Sequence, residues 1–348
     1  MKSVLFILKR KEDYNEVTDN QIGLSTGLYN SAGFVNTFLN KKTVSNMVVV
    51  IDNSDIDREV TKHRPDVVII EALWVVPSKI EELQALHPSV KWVIRLHSEM
   101  PFLANEGIAM EWIGAYSKIP NVQLAVNSPR MKREAEFFIR SLNSVPKEHI
   151  HKYVTYLPNY YPQAYHKSDF SPKKKEINIG CFGAVRPLKN HLVQAMAAIE
   201  FAEKIGKKLN FHINGDRVEM KGETVLSNLK GLFDHYADKG HKLVIHQWTP
   251  REEFLKLCST MDIGMQVSFS ETFNIVGADL ISQGVPLVTS NEIPWSSKYF
   301  QANPTDSASV VSKLLLTYLL PRVNTSFNRK QLDSYASYTK KVWFNFLR

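Results

Sequence analysis

Two periods of apolar and polar positions alternate along this chain. Short Val/Ile/Leu runs occur at "VLFIL", "MVVVID", "DVVIIEA", "KWVIRLH" and "NVQLAVNS", and again at "INIGCFG", "LNFHING", "KLVIHQW", "DIGMQVS" and "VPLVTS". Runs of this kind, separated by amphipathic segments, predict parallel strands covered by helices on both faces. There are two such series. Between them, residues 156–176 ("YLPNYYPQAYHKSDFSPKKKE") are rich in Pro, Tyr and Lys and have no clean period, so an interdomain linker is expected there. The expected architecture is α/β, with two Rossmann-like doubly wound domains facing a central cleft. Residues 1–165 form the first, residues 166–325 the second, and residues 326–348 a C-terminal helix that packs back across them. In that tail Leu332, Tyr335, Tyr338, Val342, Phe344 and Phe346 have much of the spacing of a docked amphipathic helix. Open α/β sheets bind ligands at the carboxyl ends of their strands, and the chemistry is sought there.

Composition changes this picture little. The chain has 348 residues, 44% hydrophobic and 22% charged, which is ordinary globular material for two cores. No apolar run approaches the ~20 residues of a membrane span. The opening "MKSVLFILKRKED" lacks a small-residue cleavage site and reads as a first strand rather than a signal peptide. Cys181 and Cys258 are too few for a disulfide framework or a zinc site, and a cytoplasmic setting is expected. Charge is more informative. Residues 1–165 carry 19 Lys+Arg against 18 Asp+Glu, whereas residues 166–348 carry 24 against 17. Of the formal excess of +8, +7 therefore sits in the second half and favours an anionic ligand there.

The richest stretch is "SETFNIVGADLISQGVPLVTS", Ser270 to Ser290. Ser270 and Glu271 follow a strand, and a helix is expected from near Phe273 to Gly284, a left-handed C-terminal stop. The N–H groups of Thr272, Phe273, Asn274 and Ile275 would then form a phosphate site aided by the helix dipole. Glu271 beside it suits sugar hydroxyls, and Asp279, about two turns in, suits a ribose. A core helix with an acid N-cap and a stray Asp is the alternative.

This segment resembles the Glu, seven residues, Glu signature of retaining GT-B glycosyltransferases, especially glycosyltransferase family 4. Ser270/Glu271, Phe273, Asp279–Leu280, Gly284 and Pro286 fall in register. Asp279 replaces the second Glu, Thr272 and Asn274 replace the usual glycines, and Leu280 replaces Ala. The resemblance implies a nucleotide-diphosphate sugar, UDP-sugar foremost, as co-substrate, with anomeric retention and no required metal. It extends to "INIGCFGAVRPLKNH", where Gly183 makes the turn, Lys189 neutralises the diphosphate and Arg186 accompanies it, unless this is a solvated turn. It also reaches Gly215 at a strand end and Gln247, Trp248 and Thr249 beside the base, Trp248 being equally a candidate for the core. In the first half, Ser25, Thr26 and Gly27 match a glycine-rich donor loop, or equally a helix start. His97 takes the family's sugar-contacting His, with a satisfied structural His as the alternative. Arg95 and Glu99 share its strand end, and Arg130, Lys132 and Arg133 ("RMKR") offer basic acceptor contacts.

The acceptor reading is a hydroxymethylated pyrimidine in double-stranded DNA, as for bacteriophage enzymes that glycosylate such bases. A compact, basic chain with no membrane helix fits it, while a nearly neutral first half argues against it. The competing acceptor is a cell-envelope glycan or lipid, which a peripheral basic-aromatic helix would serve. A non-transferring nucleotide-sugar binder or an epimerase of the same fold would share much of the pattern. Asp55 and Asp57 ("DID") resemble a metal-binding Asp-x-Asp, but Asp55 equally suits a helix cap. No G-x-S-x-G elbow or G-x-x-x-x-G-K-[ST] loop occurs.

Overall fold

The computed structural model describes residues 1–10, 27–167 and 175–348. They form two compact units, Met1–Pro162 with Ala336–Arg348, and Gln163–Tyr335. The helix Pro321–Phe346 is divided between them at Tyr335.

The first unit is built on β1 (Val4–Lys9), β2 (Ser45–Val50), β3 (Val67–Glu71), β4 (Lys91–Leu96), β5 (Val122–Val126) and β6 (Val154–Tyr156), in the order β2-β1-β3-β4-β5-β6. Every pairing is parallel. Successive side chains of a strand point to opposite faces, so an all-apolar strand must be covered twice. Leu5 and Ile7 of β1 enter one core with Val68, Ile70, Trp92 and Ile94. Val4, Phe6 and Leu8 enter a second core with Val67, Ile69 and Val93, closed by Ala336, Trp343 and Leu347 of the C-terminal segment. Trp343 is fully buried and donates its indole N–H to the Pro158 carbonyl at 2.9 Å. Tyr338, read from its spacing as a docking residue, is instead half exposed, because the helix turns Thr339 and Trp343 inward.

The second unit comprises β7 (Glu176–Gly180), β8 (Lys208–Asn214), β9 (Lys242–His246), β10 (Ile263–Gln266), β11 (Leu287–Ser290) and β12 (Gln301–Ala302), in the order β12-β11-β10-β7-β8-β9. It too is parallel throughout. Its core joins Ile179, Phe211, Ile213, Ile263, Met265 and Val288 to the helices His191–Lys204 and Ser307–Leu319.

In each sheet the winding reverses once. From β7 the chain steps outward to β8 and β9, then returns to the other side of β7 as β10. The loops leaving β7 and β10 therefore diverge around a switch point, where a doubly wound sheet opens a crevice for ligands. Among the described residues, no helix is long and apolar enough to cross a membrane.

Candidate active site

The loop leaving β7 carries Gly183, Arg186 and Lys189, and the loop leaving β10 carries Ser270 and Glu271. They meet at the switch point of the second sheet. The Lys189 ammonium is ion-paired to the Glu271 carboxylate, with side chains 12% and 9% exposed. Backbone ties hold the two loops in register. The Phe269 N–H donates to the Leu188 carbonyl at 2.9 Å, and Val267 N–H donates to Gln194 Oε1 at 2.8 Å. Gln194 in turn donates to the Lys189 carbonyl at 2.7 Å. Asn190, in the left-handed region at φ 58°, donates to the Val267 and Pro304 carbonyls.

Gly183 stands at φ +112°, a conformation that L side chains rarely adopt, and its N–H donates to Asn214 Oδ1 at 3.0 Å. Arg186 and Arg217 share the Glu219 carboxylate, at 3.3 and 2.7 Å. His191, two residues beyond Lys189, is buried. Burial first, and the Lys189 and Arg186 charges next, push its pKa down to about 3.

The signature helix spans Ile275–Ser282, starting two residues later than its sequence pattern predicts. Asn274 is the cap. Its φ of 61° is left-handed, which Asn tolerates better than most residues and which glycine adopts freely. Its Oδ1 accepts from the Gly277 N–H at 2.7 Å, and its amide donates to Gln266 Oε1 at 2.8 Å. Phe273, an expected donor contact, turns its ring into the core against Trp295 and Tyr335, so only its backbone can face a ligand. Ser270 and Thr272 are buried, and Ile275 is partly so. Asp279 is 3% exposed and pairs with Arg251, whose Nη2 lies 2.6 Å from its Oδ1.

Beyond β8 and β9, Gly215 permits a close approach, since a Cβ there would sit 2.3 Å from Ile245 Cγ2. Gln247 is exposed. Trp248 and Thr249 are half-buried, with the Arg217 guanidinium 4.8 Å over the Trp248 ring. One face of that indole is thus already occupied.

In the first unit the strand ends gather a polar network. Glu71 ends β3 and is fully buried. Arg95 donates to Glu71 Oε1 at 2.9 Å, to Asn159 Oδ1 at 2.6 Å and to the Leu157 carbonyl at 3.1 Å, and lies 5.1 Å over the Trp343 ring. Arg95, an expected acceptor contact, is therefore a core residue: it is fully buried and its guanidinium is spent on the protein. His97 Nε2 is hydrogen-bonded to Glu71, and Asn127 Nδ2 is 3.4 Å from His97 Nδ1. Burial lowers the His97 pKa more than the Glu71 charge raises it. Neutral His97 then donates from Nε2 to Glu71 and accepts at Nδ1. For Glu71, burial pushes upward, but the Arg95 charge and His97 together hold it below the ordinary carboxylate range.

Glu99 is likewise buried, accepting from the Ser128 hydroxyl and, at 3.1 Å, from Arg130. That is a second correction among the expected acceptor contacts. Ser128 caps the helix Pro129–Asn143, so Glu99 and Arg130 brace its start. Lys132 pairs with Glu136 at 3.1 Å, and Arg133 is exposed. Gly27 opens the helix Gly27–Leu39, while Ser25 and Thr26 lie outside the described residues. Asp55 pairs with Arg58 at 3.0 Å and Asp57 with His87 at 2.7 Å.

Three residues central to these contacts escape a motif-based reading. Glu71 has a signal in hindsight, a carboxylate closing the all-apolar run "VVII". Arg251 has another, a cation at the first position of a helix, where the macrodipole disfavours it. Glu219 has none.

No protein-family model matches the chain, and no curated protein matches it. Solved structures do. Over 100% of this chain and 97% of the other, it is similar to an α,α-trehalose-phosphate synthase (UDP-forming) from Burkholderia vietnamiensis, with 11% identity and a TM-score of 0.71. It is similar to an E. coli structure described as trehalose-6-phosphate bound with UDP-2-fluoroglucose (15% identity, TM-score 0.63, 85% of this chain and 76% of that one). A third likeness is to a trehalose-6-phosphate synthase studied for glycosyltransfer with retention, at 14% identity and a TM-score of 0.61, over 85% and 77% of the two chains. At such identities the likeness concerns architecture: two parallel six-stranded sheets with alternating helices, the GT-B fold of two Rossmann-like domains.

Proposed function

We propose that the protein is a glycosyltransferase that moves a sugar from a nucleotide-diphosphate sugar, UDP-sugar foremost, to a hydroxyl acceptor. The observation that carries this reading is the Lys189–Glu271 pair at the switch point of the second sheet. The two side chains neutralise each other there. A diphosphate offers Lys189 two formal charges, and sugar hydroxyls offer Glu271 donors, so a nucleotide sugar can take both at once. The start of the helix Ile275–Ser282 adds its dipole to the phosphate side. As the glycosidic bond breaks, negative charge grows on the leaving diphosphate, and a fixed cation beside it stabilises that change more than the ground state.

Retention is the stereochemical part of the proposal, supported by the third structural likeness. The C1–phosphate bond breaks as the acceptor oxygen bonds C1 on the same face, and the acceptor proton passes to the departing phosphate oxygen. The protein supplies charge and position, not a nucleophile. No metal takes part in this grip.

For the acceptor, the proposal keeps a hydroxymethylated pyrimidine in duplex DNA, with Arg133 and Arg140 exposed on the helix Pro129–Asn143 as phosphate contacts. A lipid-linked acceptor is a second reading, favoured by Phe137 on the same helix, which is 73% exposed beside those arginines.

The test is a donor-by-acceptor screen with mass readout, including hydroxymethylcytosine DNA and anionic vesicles carrying lipid acceptors. Donor turnover is expected, with Glu271→Ala and Lys189→Ala each lowering it by about 10²–10³-fold in folded protein. Unchanged turnover in either variant removes that residue from the mechanism. Absence of turnover with every nucleotide sugar overturns the enzyme reading. Duplex binding that does not weaken by orders of magnitude between about 50 and 200 mM salt overturns the DNA acceptor.

A further inference from the structure

The helix Pro321–Phe346 begins inside out. A helix on a protein surface ordinarily turns its apolar side chains inward. Here the inward positions of the first turns are amides. Asn324 and Asn328 are fully buried. Asn324 exchanges hydrogen bonds with both backbone groups of Leu287, at 2.8 and 2.9 Å, and Asn328 accepts from the Ser297 N–H at 2.8 Å. The side chains left outside are Val323 and Phe327, one turn apart. Leu319 and Leu320, where the preceding helix ends, are exposed too, the first by 72%. Tyr299 completes the face: it is 67% exposed, and its ring centre lies 5.8 Å from that of Phe327. A single apolar side chain at a surface needs no explanation, but a contiguous set does.

Positive charge surrounds this face. From Lys298 to Lys330 the chain carries Lys298, Lys313, Arg322, Arg329 and Lys330 against one acid, Asp306. Arg322 and Lys330 flank Val323 and Phe327 on the helix, and neither side chain has a partner among the described residues. With Ser326 they line a hollow of about 450 Å³. The other two charges lining it, Arg329 and Asp333, offset each other and are tied to the protein. Arg329 donates to the His166 carbonyl, and Asp333 accepts from the Tyr165 hydroxyl at 2.5 Å and from Gln163 at 3.0 Å. Two cations and a hydroxyl are left, a set suited to a phosphate group.

We infer that the face formed by Tyr299, Leu320, Val323 and Phe327, with Arg322 and Lys330 beside it, docks the second unit on an anionic lipid bilayer. The apolar side chains enter the boundary of headgroups and acyl chains, and the cations take lipid phosphates. A bilayer asks for apolar depth and positive charge together, and this face offers both. A second copy of the chain fits worse, because a twofold contact would set Arg322 and Lys330 against their own counterparts. Nucleic acid offers phosphates but nothing for the apolar side chains. The inference does not depend on the donor chemistry, so the two stand or fall separately.

The experiment is flotation of the full chain with vesicles of phosphatidylcholine alone and of phosphatidylcholine and phosphatidylserine in equal parts, beside sedimentation equilibrium without lipid. The protein is expected to float with the mixed vesicles, not with phosphatidylcholine alone, and less as salt rises. Arg322→Gln with Lys330→Gln should lower the partition coefficient about 25-fold, roughly fivefold for each cation. Val323→Ser with Phe327→Ser, which leaves the charge unchanged, should lower it about 10-fold or more. Lys230→Gln with Lys256→Gln removes as much charge from two other exposed helix positions of the same unit and should change little. All six positions are exposed, and thermal melts check that each variant keeps its fold. Equal loss in the Lys230/Lys256 variant overturns the inference, as does wild-type protein that binds neither kind of vesicle. A wild-type dimer that Val323→Ser with Phe327→Ser converts to a monomer also overturns it, by assigning the face to a second copy.

Discussion

The two sheets end in charged residues, yet they use them in opposite ways. At the carboxyl edge of the first, Glu71 and Arg95 are both fully buried and are satisfied by His97, Asn159 and a backbone carbonyl. At the carboxyl edge of the second, Lys189, Glu271 and Arg251 each keep part of the side chain at the surface. Sealed charges specify structure, because nothing from outside can replace their partners. Charges paired at an edge can exchange partners with a ligand. The difference teaches that charged residues at a strand end mark a candidate site only when the fold leaves a way in.

The largest expected effect breaks this contrast on stability. Arg95→Met strands the Glu71 carboxylate in the core, and breaking a fully buried pair costs about 3–5 kcal/mol. At roughly 2–4 °C per kcal/mol for a unit of this size, the first unit's unfolding transition should fall by about 6–20 °C. Lys189→Met strands a carboxylate that water can still reach, and the second unit's transition should shift much less. Differential scanning calorimetry reads both. Equal shifts would mean that the two edges are not different in kind.

What the sequence disclosed follows the same division. The ten apolar runs and both series of strands are legible because continuous Val/Ile-rich stretches admit few structures besides a covered parallel sheet. Lys189 and Glu271 are legible as a pair because a glycine turn, a basic loop and an acid before a capped helix are local patterns. Arg95 and Glu99 are misread for the complementary reason. A strand end faces either a crevice or its own sealed network, and that choice depends on Glu71, Asn159 and Ser128, up to 64 positions away in the chain. Periodicity cannot report such a partner. The same blindness hid Arg251, which is 28 positions from Asp279.

A pH series sharpens the comparison with an intermediate effect. In the second unit burial drives His212 down to about 4 and His191 to about 3, and it lowers His246 and His241 as well. In the first unit the described histidine moved this way is His97. These groups are held neutral when folded and titrate near 6.5 when unfolded. As pH falls below about 6.5 the unfolded chain takes up protons that the folded chain refuses, so stability is lost toward acid by up to about 1.4 kcal/mol per pH unit for each histidine. Glu71 adds its loss only below the ordinary carboxylate range, since its folded pKa is depressed. Melts between pH 7 and 5 should therefore show the second unit's transition falling faster than the first's. His191→Gln with His212→Asn should flatten that slope, and a slope that stays unchanged would show that these rings are not the groups taking up protons.

The smallest effect concerns the loop that carries Glu271. Two residues stand there where the signature this segment resembles has glycines, and Asn274 shows why one such departure is tolerated. The backbone needs φ near 61°, which Gly adopts freely and Asn adopts at little cost, while the Asn side chain adds a cap to Gly277 and a tie to Gln266. Asn274→Gly keeps the conformation and loses the cap, a change of a few tenths of a kcal/mol for such a replacement. Asn274→Ala loses the cap, about 1 kcal/mol, and must also hold a left-handed backbone without a side chain suited to it, so its cost is expected near 2 kcal/mol. If the loop's task is to fix backbone N–H groups and Glu271 by shape, nucleotide-sugar affinity should survive in the Gly variant and drop in the Ala variant. Chemical denaturation measures the first quantity and titration with the donor the second. Equal behaviour of the two variants would assign Asn274 to the side-chain bonds rather than to the turn. The resemblance to the glycine-bearing signature would then be one of position and not of conformation.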